Sequence, residues 1–198
     1  MSTQRAGGET PEAFRTALTA LERSSVRPEV SLKSIDAPYG LASHAVAVAA
    51  EVCGSIEPGA PTSELATGRF ILLHEPEPNP VWGGTFRIVT YIRATLEPEM
   101  GNDQLLGSVA WTWLVDALRE HHAPYTEAGG TATRVLSENF GTLRGSAEHI
   151  DIELRASWTP LNAELTSHLE AWVDMVASFA GLPPLPDGVT PLPFLRLT

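Results

Sequence analysis

Six histidines, one cysteine and an excess of carboxylates are the groups in this chain with chemistry to offer. His121-His122 could begin a metal site, but adjacent helix residues point about 100° apart, and two imidazoles near a helix C-terminus already suit the helix dipole. His74-Glu75 at a strand end, and His149 with Asp151 and Glu153 on one strand face, have ligand chemistry. No HxxxH, HExxH or CxxC spacing backs them, and a solvated face with interleaved charges explains them as well. Cys53 precedes Gly54, yet no GxSxG elbow exists and no neighbouring base accompanies the thiol. The pairs Gly7-Gly8, Gly83-Gly84 and Gly129-Gly130 belong to no GxGxxG or GxxxxGK pattern and read as turns. Glu97, Glu99, Glu138, Asp151 and Glu153 could supply a carboxylate pair for glycosidic chemistry, but among 24 acidic residues any two would serve. No catalytic, cofactor or metal residue is assigned, and the chain leans away from an enzyme.

A patterned surface stands above this background. Phe86, Ile88, Thr90, Ile92, Ala94 and Leu96 alternate with Arg87, Val89, Tyr91, Arg93, Thr95 and Glu97, the period of a strand with one buried face. The run HIDIELRASW repeats it: Ile150, Ile152, Leu154, Ala156 and Trp158 point inward, His149, Asp151, Glu153, Arg155 and Ser157 outward. Arg87, Tyr91, Arg93, His149, Asp151, Glu153 and Arg155 therefore form a candidate partner-binding sheet face, with groups suited to a peptide or protein. The same groups suit cross-strand ion pairs facing water, each worth little.

These faces need elements to hold them. Thr10-Pro11 opens a helix, a hydroxyl cap followed by proline, and Phe14, Ala17, Leu18 and Leu21 carry it to about Ser24. Val30, Leu32 and Ile35 suggest a short extended segment. Residues 44–53 read as a strand, with helix left open by the alanines, and Cys53 as a small buried thiol. Gly54–Glu64 reads as an exposed loop. GRFILLHE and FRIVTYIRATLE are two strands joined across EPEPNPVWGG, whose prolines keep the ends from extending. A second helix follows with Leu106, Val109, Ala110, Trp113, Ala117 and Leu118 on one side and Trp111 off it, ending before Pro124. Gly129-Gly130 opens a strand to about Glu138, and Thr159-Pro160 breaks the last strand. Asn162 caps a final helix through Leu165, Leu169, Trp172, Val173, Val176 and Ala180, which Gly181 stops.

The predicted fold is α+β: a single antiparallel sheet of five or six strands with helices on one face, in the order α-β-βββ-α-ββ-α, the first β short. Residues 1–9 read as a flexible tail, 10–181 as one domain, and 182–198 as a proline-rich arm that straps its own domain or serves as a polyproline ligand. The lone cysteine excludes an intramolecular disulfide, and neither an apolar leader nor a run of about 18 apolar residues is present, so a cytoplasmic protein is expected. A net charge of −11 repels phosphate backbones.

Six strings then stand in a telling order: RPEV from Arg27, LATGR from Leu65, LEPEM from Leu96, TRVLSENFG from Thr133, RASWTP from Arg155 and GLPPLP from Gly181. Together they resemble the actinobacterial family catalogued as domain of unknown function 3000, from about Phe14 to Pro193, with the loop from Gly54 to Ser63 unmatched. That resemblance brings no activity with it. It implies at most an accessory role in RNA processing, through a neighbouring ribonuclease D-like gene, which suits so acidic a chain poorly. The element order is also similar to that of small acidic secretion-chaperone-like folds. The expectation is a non-enzymatic, chaperone-like or regulatory domain that binds a protein or peptide, as a homodimer, with no cofactor, nucleic acid or membrane. The alternative is a small-molecule enzyme using carboxylates and His44, His74 or His149 in a cleft.

Overall fold

Alternation of aliphatic with polar residues commits most of this chain to strands, and the strands to one antiparallel sheet. The computed structural model describes residues 4–5, 10–54, 64–96, 105–144 and 149–183. Its strands are β1 (Gln4–Arg5), β2 (Val30–Ile35), β3 (His44–Cys53), β4 (Glu64–Asn79), β5 (Gly84–Leu96), β6 (Tyr125–Ser137) and β7 (His149–Pro160). The helices are α1 (Glu12–Arg23), α2 (Leu106–Glu120) and α3 (Thr166–Phe179). The strand order is β1-β3-β4-β5-β7-β6, and β2 pairs with β3 beyond the short β1 contact. This is the α+β architecture expected from the sequence, with the two-residue β1 added from within the segment read as a tail. No helix among the described residues is long and apolar enough to cross a membrane.

One parity of strand residues enters the core. Val46 and Ala50 of β3, Phe70 and Leu72 of β4, Ile88 and Ile92 of β5, and Leu154 and Trp158 of β7 join a single buried cluster with Phe14 of α1, Leu114 of α2 and Trp172 of α3. Full burial of such a side chain contributes about 1.5–3 kcal/mol. The closest approach is at Gly68 of β4, where a Cβ would lie 2.7 Å from the Trp172 ring, so α3 can seat there only over a hydrogen.

Several local readings change in three dimensions. The α2 stripe is Leu106, Ala110, Leu114 and Leu118, while Val109 and Trp113 are more than a third exposed. The helix touches mainly α3 and β6, so a narrow i, i+4 stripe suffices, and Trp113 meets the Phe179 ring edge-on at 5.8 Å. Trp111 packs against the core instead, because Gly130 leaves room for its indole. Cys53 is exposed, since its parity is opposite to that of buried Val52 and a register shift separates the two. Strand β4 runs through Pro76 and Pro78 to Asn79 because β3 pairs no further than His74, and a bulge before Asn79 leaves no ladder bond for those prolines to break. Strand β7 likewise continues through Thr159 and Pro160, paired with Thr126 and Tyr125. Strand β6 starts earlier than its glycines, at Tyr125, with a bulge before Gly129. Pro11, with no side-chain cap, takes the position expected of Thr10, and Asn162 accepts from the Glu164 N–H rather than capping α3. Gly181 ends α3 at φ +76°, as its type suggested. Most of the loop from 54 to 64, the carboxylates Glu97 and Glu99, and the arm beyond Pro183 lie outside the described residues.

Candidate functional site

Antiparallel register stacks residues of one parity into rows across a sheet, with neighbours about 4.5–5.5 Å apart. The row through Tyr91 of β5 has Arg69 of β4 on one side and Arg155 of β7 on the other, then Thr131 of β6. Two residues along the strands lies the row Ile71, Val89, Ser157 and Gly129, and two residues the other way the row Thr67, Arg93, Glu153 and Thr133. The first two rows line an open groove of about 730 Å³. Its floor is aliphatic at Ile71 and Val89, its walls are guanidinium, phenol and hydroxyl, and Gly129 leaves backbone bare at one end.

Charge on this face is arranged in pairs. Arg93 reaches Asp151 at 2.6 Å, and the Thr95 hydroxyl donates to the same carboxylate at 2.8 Å. The Asp151 side chain is only 5% exposed against 49% for Arg93, so the pair is anchored at its acidic end. That carboxylate raises the Arg93 pKa still further. Arg87 donates to the Glu127 carbonyl and to the hydroxyls of Thr159 and Ser157, at 2.8, 3.0 and 2.6 Å. Arg155 lies 3.2 Å from Glu153, and its guanidinium carbon is 5.8 Å from the centroid of the Tyr91 ring. Burial, then a hydrogen bond with the neighbouring Glu153 carboxylate, pushes the Tyr91 pKa up, so the phenol's proton is engaged by Glu153. Arg69 is exposed, and its side chain makes no ion pair or hydrogen bond with a described residue.

Six of the seven residues picked from the sequence thus share one face: Arg87, Tyr91, Arg93, Asp151, Glu153 and Arg155. The side chain of His149 lies outside the described residues. The six divide by role. Arg87 and Asp151 are held by several bonds each, Arg93 by its bond to Asp151, and the three stitch strands together, whereas Tyr91, Glu153 and Arg155 stand in or beside the groove. Sequence reasoning missed Arg69, Ile71 and Thr131 as site residues. The alternation in GRFILLHE puts Arg69 and Ile71 on a shared face, but only the register with β5 sets them beside Tyr91 and Val89.

The histidines lie elsewhere. His44 and His74 are cross-strand partners of the core-facing parity, both buried, with ring centroids 5.8 Å apart. Phe14 sits 5.5 Å from each and Phe86 4.5 Å from His74. Both His44 nitrogens and His74 Nδ1 lack a hydrogen-bond partner among the described residues. Burial, then the proximity of His44, pushes the His74 pKa down, so that ring is neutral. The adjacent Glu75 carboxylate is taken by the Ser43 amide and hydroxyl. His44 and His74 therefore do not join carboxylates in the groove. His168, passed over in the sequence, is fully buried and accepts from the Trp158 indole at 3.1 Å. Burial pushes its pKa down to about 4, against the pull of the Pro124 carbonyl. His121 ties α2 to Asp174 of α3 at 2.7 Å, which raises its pKa. Among the described residues no group of three or more His, Cys, Asp or Glu side chains could hold a metal ion.

A family model described as protein of unknown function (DUF3000) matches residues 10–190. No curated protein and no solved structure matches the chain.

Proposed function

We propose that this chain, which belongs to the DUF3000 family, is a cytoplasmic, non-enzymatic domain that binds a protein or peptide on the open face of its sheet. The observation that carries the reading is the groove itself: aliphatic floor, polar walls and bare backbone together, on a face whose ion pairs are already formed and need no rearrangement to receive a partner. The arrangement favours binding over catalysis because Asp151 and Glu153 are engaged by their neighbours, while His44 and His74 are of the opposite, core-facing parity. An accessory role on RNA is disfavoured by the net charge of −11.

The test is recovery of partners from a native extract on immobilised wild type and on a Val89→Arg variant, which fills the floor with charge. A partner held by the first and lost on the second supports the reading. A partner held equally by both removes it. The reading also includes a homodimer, with β6, exposed along nearly all its length and last in the strand order, as the edge a second copy would extend. Sedimentation at a monomer's mass would remove that part.

A further inference from the structure

We infer that the occupant of the groove is an extended acidic peptide segment, with carboxylates seated on Arg69 and Arg155 and an apolar side chain on Ile71 and Val89; this rests on the sheet-face reading above. The first argument is charge. The lining of the groove holds two cations, Arg69 and Arg155, and no carboxylate, with Asp151 and Glu153 of β7 in the rows beyond it. That is a local positive patch in a chain whose net charge is −11. A lining so unlike the rest of the molecule selects anions at contact range, within about a Debye length.

Geometry supplies the second argument. Both carboxylates have partners, Asp151 in Arg93 and Glu153 in Arg155, but Arg69 has none among the described residues. Arg155 is 68% exposed and only singly bonded to Glu153 at 3.2 Å, so most of its donors are open. The two residues flank Tyr91 in one row, on strands about two spacings or 10 Å apart. Planar guanidiniums favour carboxylates held by two parallel hydrogen bonds.

A third argument separates a peptide from a nucleic acid. The row beside the cations is aliphatic at Ile71 and Val89, and Tyr91 is the one aromatic group lining the groove, already covered by Arg155. Single-stranded nucleic acid asks for open aromatic faces on which bases stack. An apolar side chain two residues from an acidic one fits the neighbouring rows instead, which are about 6.8 Å apart along the strand.

The test is fluorescence anisotropy on the full chain with three labelled probes: a peptide of roughly ten residues, enough to cross the groove in extended form, with glutamate and leucine in turn at every second position and serine between them; the same peptide with lysine for glutamate; and a uridine oligonucleotide. The glutamate peptide is expected to bind, the lysine peptide not, and added salt to weaken the complex. The double variant Arg69→Gln, Arg155→Gln should weaken it by roughly tenfold or more, the scale of losing charge-assisted contacts, with an unchanged unfolding midpoint. Equal binding of both peptides, abolished by Val89→Arg, would overturn the acidic class while leaving the sheet-face reading standing. Binding of the glutamate peptide that ignores both variants would overturn both. Tighter binding of the oligonucleotide than of either peptide would overturn the peptide.

Discussion

Around Tyr91 the sheet gathers charge in the open; around His74 and His168 it gathers titratable groups in the dry interior. On the open side charges lie beside a partner of opposite sign or in water, and single pairs there carry little stability. In the interior the same device fails. The imidazoles of His74 and His168 are held neutral, and the unpartnered nitrogens of His44 and His74 each cost on the order of 1–3 kcal/mol. The lesson is that the two sides of one sheet divide the work: the core-facing side sets stability and its pH limits, and the other carries paired charges that add little to it.

Substitutions can test that division, beginning where the effect should be greatest. Trp158→Ala empties a fully buried site and strips His168 of its donor, so it should cost about 3–5 kcal/mol in urea unfolding. If it costs no more than a surface change, the interior is not the stabilising side.

Acid should act through the same place. The folded pKa of His168, about 4, lies below its ordinary 6.5, so on acidification the unfolded chain takes up the proton first. Its stability contribution is whole above 6.5 and lost progressively towards 4, by an amount on the order of 3 kcal/mol. His74 acts in the same direction. His121 acts oppositely, its contribution present in acid and lost as the pH rises through its raised pKa. Urea midpoints at neutral and mildly acidic pH should therefore separate in the wild type and converge in His168→Asn, which keeps an acceptor for Trp158. Equal separation in the variant would assign the acid sensitivity elsewhere.

At the border of the two regions, Asp151→Asn should cost about 1–3 kcal/mol, because its nearly buried oxygens accept from both Arg93 and Thr95. Smallest of all, Arg69→Ala and Arg155→Ala should each shift stability by no more than about 0.5 kcal/mol. A large loss from either would make the row a structural device and blur the comparison.

Much of this plan was legible beforehand, and the reasons differ by element. Strands β3, β5 and β7 announce themselves because a period of two is unmistakable where one face is buried, as in Ile150, Ile152 and Leu154. The outward set on β5 and β7 followed from the same period. The α2 stripe did not, because Trp111 and Trp113 differ in burial only through what lies opposite: a glycine of β6 for one, the edge of Phe179 for the other. The depth of Cys53 depended on a register shift, and the passage of β4 through its prolines on where β3 stops.

By itself, then, the sequence determined which residues of each strand share a side, where α3 ends at Gly181, and that no local motif encodes a reaction, because these depend on neighbours within a few residues. Only the tertiary structure decided that Arg69, Tyr91 and Arg155 form one row and that His44 meets His74 beneath Phe14. Those meetings are set by the register between strands and by the seating of helices on them, which the packing of the whole core selects and no stretch of chain specifies alone.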